Sequence, residues 1–149
     1  MKLTRTFLSS MVLAAGLSLP AFAGLGGDAT SVEADRASLK GALRVSARAG
    51  FTMHEIESSS GLLHEYVGPE GKVFAVTWRG PGIPDMRQLL GSYYGQVQQA
   101  ASAPHSNHHH FSVRTPLVVV ESSAHLRTFS GRAWAPALLP QSVSLNDIN

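Results

Sequence analysis

The sequence predicts an α+β domain: a mainly antiparallel sheet of about five strands, one long amphipathic helix packed on it, and a short helix at the N-terminal end. Three observations carry this expectation. Apolar residues alternate over residues 51–67, residues 72–78 are apolar on both faces, and residues 86–101 shift to a helical period. Strands gathered around a single covering helix suit a sheet with one helical face.

Before the domain comes a leader. Lys2 and Arg5 precede an apolar run over residues 7–19, and Ala21-Phe22-Ala23 ends the segment with a small-x-small pattern. This is the layout of a cleavable secretory signal. At about a dozen residues the apolar run falls short of the roughly 18 to 20 that span a bilayer. Residues 1–23 are thus expected to be removed, leaving residues 24–149 as one periplasmic domain, with extracellular release as the other destination. No later segment is long and apolar enough for stable membrane insertion.

Residues 24–30 are Gly-rich and expected to fray. Thr30 stands three before Glu33, a capping-box spacing, and Val32, Leu39 and Leu43 then mark one face of a short helix. Residues 51–58 and 62–67 read as a hairpin around Ser58-Ser59-Ser60-Gly61, which would face the pairs His54-Glu55 and His64-Glu65 across it. After the Pro69-Glu70-Gly71 turn, Phe74, Val76 and Trp78 occupy one face of a strand and Val73 and Ala75 the other, the pattern of a central strand. Asp85 follows the Gly80-Pro81-Gly82 break as a helix cap, and Met86, Leu89, Leu90, Tyr93 and Val97 form the helix's packed stripe. Gly91 and Gly95 inside that helix suggest close approach to the sheet. Residues 113–121 read as a strand, Ser122-Ser123-Ala124 as its turn, and residues 125–134 as its partner. Pro136 and Pro140 end regular pairing.

Composition narrows the function. Two of the twelve Lys and Arg lie in the leader and all ten Asp and Glu lie beyond it, so the exported part is neutral with His uncharged. Its charges alternate in sign, which argues against a nucleic-acid partner. With no cysteine, disulfides, thiol nucleophiles and thiolate metal sites are excluded.

Site chemistry is sparse. His108, His109 and His110 form the conspicuous metal-binding candidate, yet adjacent imidazoles lack a neighbouring carboxylate or thiolate to complete a shell, so no metal is expected. No cofactor signature is present. His64 with Glu65, or His125 in place of His64, offers an acid-base pair for a small hydrolase or lyase. Tyr66, Arg79 and Arg127 offer instead the aromatic and guanidinium chemistry of a recognition surface.

The blocks Glu65-Tyr66, Gly71-Lys72-Val73-Phe74-Ala75-Val76, Trp78-Arg79-Gly80-Pro81, Pro84-Asp85, Leu89-Leu90-Gly91-Ser92-Tyr93, His125-Leu126-Arg127 and Gly131-Arg132-Ala133 occur in one order. In that arrangement the chain resembles the exported bacterial family known as domain of unknown function 2844. The resemblance implies a single exported domain and no particular reaction. The reading favoured by the whole sequence is a non-catalytic periplasmic binding module for an envelope protein or cell-envelope component, with the His/Glu hydrolase or lyase as the alternative.

Overall fold

A computed structural model describes residues 24–102 and 110–149. The leader lies outside the described residues, as do His105, His108 and His109. In chain order the elements are α1 (Ser31–Leu39), β1 (Ala42–Arg48), β2 (Phe51–Ser58), β3 (Gly61–Val67) and β4 (Val73–Gly80). There follow α2 (Met86–Leu90), a 3₁₀ turn (Gly91–Tyr93), α3 (Tyr94–Ala101), β5 (His110–Arg114), β6 (Val119–His125) and β7 (Thr128–Trp134). Two further 3₁₀ turns, Pro136–Leu138 and Leu145–Asp147, lie in the C-terminal segment. The strands form one antiparallel sheet in the order β1-β2-β3-β4-β7-β6-β5.

The sheet therefore has seven strands where about five were expected, and both additions have local causes. Leu43, expected on the first helix, belongs to β1, because that helix closes at Lys40 in a left-handed conformation (φ 52°). The strand expected over residues 113–121 is divided at Thr115, whose Oγ1 accepts from the amides of Leu117 and Val118. Side-chain capture of the backbone in this way competes with the ladder. Ser122-Ser123-Ala124 continues β6 instead of turning, and the reversal falls at Leu126 and Arg127.

β4 is central, as its two-faced apolar pattern requires, and all of Val73, Phe74, Ala75, Val76 and Trp78 are buried. A register shift beside Tyr66 and Val67 changes which face they serve. Val73, Val76 and Trp78 join the core under the helices with Ile56, Leu63, Val120 and Ala133, whereas Phe74 and Ala75 pack on the other side with Tyr66, Val119 and Trp134. A bulge moves a side chain across the sheet in this manner.

On the helical side, Val32 of α1, Leu89 and Leu90 of α2 and Val97 of α3 complete the core. Asp85 caps α2, its carboxylate accepting from the amides of Arg87 and Gln88 at 2.9 and 3.2 Å. The expected long helix is interrupted at Gly91, whose φ of 52° and ψ of −126° break the helical path. Gly91 is buried, whereas Gly95 faces open space and makes no close approach to the sheet. α1 is capped not from Thr30 but from Asp28, whose Oδ1 accepts from the amides of Thr30 and Ser31.

The N-terminal segment is docked rather than frayed. Leu25 is buried, its amide donates to the Leu89 carbonyl at 2.9 Å, and Gly26 and Gly27 exchange backbone bonds with Val73. Gly24 has φ of 91°, and a Cβ there would collide with the Leu89 carbonyl. Only glycine accommodates that approach. On the opposite face the C-terminal segment forms a strap, with Val143 and Ile148 packed on Tyr66, Phe74 and Trp134. Among the described residues no helix is long and apolar enough to cross a membrane.

Candidate functional site

Antiparallel register turns the strap-side face into rows that run across the strands, since directly opposed residues share a face. One row is apolar: Met53, Tyr66, Ala75, Trp134 and Val119 stand in register from β2 to β6, and the strap covers them. The next row is charged and internally matched. Arg44 faces Glu55, Glu55 faces His64, Thr77 follows on β4, and Arg132 faces Glu121. His64 Nε2 lies 3.2 Å from Glu55. Arg132 donates from Nε and Nη2 to Glu121 Oε2 at 3.0 and 2.9 Å, and Glu121 also pairs with Arg114. The Arg132 guanidinium stacks on the Trp134 ring, 5.3 Å from its centroid.

The strap ends on this charged row. The Asn149 main-chain oxygen accepts from Tyr66 Oη at 2.8 Å and from Thr77 Oγ1 at 3.4 Å, and lies 3.1 Å from His64 Nδ1. The Asn149 amide donates back to Tyr66 Oη at 3.1 Å. Both nitrogens of His64 are thereby engaged.

The third row is open. Leu62, Arg79, Ser130, Ser123 and His110 lie in register across β3, β4, β7, β6 and β5. They and the neighbouring charged row line a cleft of about 470 Å³, bounded at one side by Ile148 and Asn149. Ser123 and Ser130 share a hydrogen bond of 3.2 Å. Arg79 is exposed and makes no ion pair or side-chain hydrogen bond among the described residues. Glu121 is matched by Arg132 and Arg114, so Arg79 is the guanidinium lining the cleft that has no ionic partner among the described residues.

On the helical side lies a second polar cluster. Glu65 is completely buried between Leu63 and Val67, and Asp35 of α1 is 1% exposed. Burial, reinforced by the Asp35 carboxyl, pushes Glu65 up to about 9. Burial likewise raises Asp35, opposed by its hydrogen bond from Gln88 of α2. Asp35 Oδ2 and both Glu65 oxygens have no hydrogen-bond partner among the described residues, so the neutral acid is the form that this site favours for Glu65. His54, directly opposite Glu65, is held below its usual range by burial.

The structure thus separates the residues that sequence reasoning grouped. The two hairpin pairs do face each other, His54 with Glu65 and Glu55 with His64. Adjacent strand residues point to opposite faces, so His64 serves the cleft row and Glu65 the helical core, and they form no acid-base pair. His125 ends β6, exposed. Tyr66 is buried under Asn149, Arg79 lines the cleft, and Arg127 sits exposed in the β6–β7 turn. His110 begins β5 at the far end of the open row. No group of three or more His, Cys, Asp or Glu among the described residues is disposed to hold a metal.

Asp35, Glu121 and Arg132 were not singled out from sequence. Glu65 carried a readable signal, a carboxylate alternating with Leu63 and Val67 on a core-facing side. Arg132 and Glu121 become a pair only through the β6–β7 register, which the misplaced turn at Ser122 concealed.

No curated protein and no solved structure matches the chain. A family model described as protein of unknown function (DUF2844) matches residues 21–148. The chain belongs to that family.

Proposed function

We propose that this member of the DUF2844 family is an exported, non-catalytic binding module of the periplasm, acting on an envelope protein or cell-envelope component through the cleft beside Arg79. The leader of residues 1–23 supports the location. The observation that carries the role is Arg79, an exposed guanidinium that lines the cleft without an ionic partner among the described residues. An exposed arginine without a partner is the residue type that anchors interfaces, and its fork suits a carboxylate or other oxyanion. The engagement of both His64 nitrogens by Glu55 and the main chain supports a binding role over proton transfer. Arg127 and Leu126 extend about three residues past the Ser123–Ser130 pair, on the order of 10 Å at strand rise, and offer a second contact beyond the cleft. Tyr66 acts from beneath by holding Asn149.

The test is capture of a defined partner from envelope extracts by the immobilised protein. Arg79→Ala is expected to abolish capture while circular dichroism and melting stay unchanged, and Arg127→Ala to weaken it. Undiminished capture by a folded Arg79→Ala protein would overturn the assignment.

A further inference from the structure

We infer that the cleft is a binding site for a small sugar acid or hydroxy acid, its carboxylate on Arg79 and its hydroxyls on the Ser130–Ser123 pair. This rests on the cleft reading above and names the ligand chemistry. Three observations lead to it.

Charge comes first. Of the charged side chains lining the cleft, Arg132 pairs with Glu121, and Arg79 has no ionic partner among the described residues. A guanidinium without an ionic partner suits one carboxylate. Phosphate meets the same guanidinium but carries no hydroxyl-bearing carbon for the serines, so it serves as the charge control. The two-point geometry of guanidinium with carboxylate supplies the anchor.

Neighbouring chemistry comes second. Ser130 is the direct cross-strand neighbour of Arg79, and Ser123 the neighbour of Ser130. Adjacent strands lie about 4.8 Å apart, so Arg79 and Ser130 stand close enough for one small ligand to meet both. The two serine hydroxyls are 3.2 Å apart and either can donate, so the one that donates can still accept from a ligand hydroxyl and the other can still donate to one.

Size comes third. A volume of about 470 Å³ falls in the range of small-molecule sites, roughly 300–1,000 Å³. From Arg79 to His110 the row covers three strand spacings, on the order of 14 Å, long enough for a ligand larger than a single sugar ring. The engaged Asn149 main chain closes the other direction.

The probe is D-galacturonate, with neutral D-galactose as its matched control and inorganic phosphate as a charge control, titrated into the exported protein and followed by amide and guanidinium NMR. Galacturonate is expected to shift the Arg79 side-chain and Ser123 and Ser130 amide signals at least tenfold more tightly than galactose or phosphate. Arg79→Met is expected to remove that preference, and Ser130→Ala to weaken galacturonate several-fold while sparing phosphate. Trigalacturonate separates the two sources of this chemistry: tighter binding than the monomer identifies a glycan chain, equal binding a free acid, and either supports the assignment. Equal affinity for galactose and galacturonate, or for phosphate and galacturonate, would overturn it, as would unchanged binding by folded Arg79→Met. If Arg79-dependent capture of an envelope partner persists in that case, only the ligand class falls; if neither depends on Arg79, the cleft reading falls as well.

Discussion

Glu65 is a carboxyl group placed where β3 needs an apolar side chain, and its ionisation opposes the fold. Its folded value of about 9 stands above its ordinary 4.5. The stability of the neutral form is therefore fully present below pH 4.5 and lost progressively as pH rises towards 9. One proton contributes a slope of about 1.4 kcal/mol per pH unit. Asp35 shifts in the same direction, while His54, depressed from 6.5, withdraws stability as pH falls below its ordinary value. Melting temperature should accordingly decline from pH 6.5 to pH 9. Glu65→Gln, which keeps the shape and discards the ionisation, should flatten that decline in thermal melts across the range. An equally steep decline in the variant would remove Glu65 from this role. The presence of a carboxylate on a core-facing side was legible in the sequence. Its partner was not, because Asp35 lies thirty residues away on a separate helix, and only the packing of α1 on the sheet brings the two together.

At the scale of elements, the amphipathic stripe was legible and the breaks in it were not. Leu89 and Val97 are buried as the helical period requires. Leu89→Ala should cost about 2 to 5 kcal/mol, and Gln99→Ala on the exposed side should stay within about 0.5 kcal/mol. Denaturant melts of both variants decide this, and similar small losses would mean the stripe is misassigned. The β6–β7 turn escaped sequence reading for a physical reason. Two-residue hairpin turns of this hand favour Asn-Gly, whereas here Leu126 and Arg127 hold φ values of 45° and 65°, and Leu126 is 86% exposed. Ser122-Ser123-Ala124 had the better turn composition. Replacing Leu126-Arg127 by Asn-Gly should raise stability by about 1 kcal/mol or more by relieving the left-handed strain. If the tip contributes to recognition, the same variant should bind its envelope partner less well. A stabilised variant with full capture would confine the tip to structure.

At the scale of the whole molecule, a seven-stranded sheet is enclosed by helices on one face and partly by a strap on the other, and the strap leaves the Arg79 row uncovered. The central position of β4 followed from its composition. The division of labour between faces did not, since the bulge near Tyr66 and Val67 sends Phe74 to the strap side, and no period in the sequence announces a one-residue shift.

Under the export proposed above, the docked residues 24–28 set an order of events. The bond after Ala23, where the leader is proposed to be cut, adjoins a glycine pressed against the Leu89 carbonyl and a leucine sealed under α2. A peptidase requires a few residues of extended, accessible chain on both sides of the bond it cleaves, and the folded segment withholds those on the C-terminal side. Maturation thus has a deadline: the leader must leave before Leu25 finds its place. Protein recovered from the periplasm should show Gly24 as its first residue by intact mass. Precursor that is refolded before exposure to signal peptidase should be cut far more slowly than the same precursor presented unfolded, and equal rates would mean that folding and processing keep independent clocks.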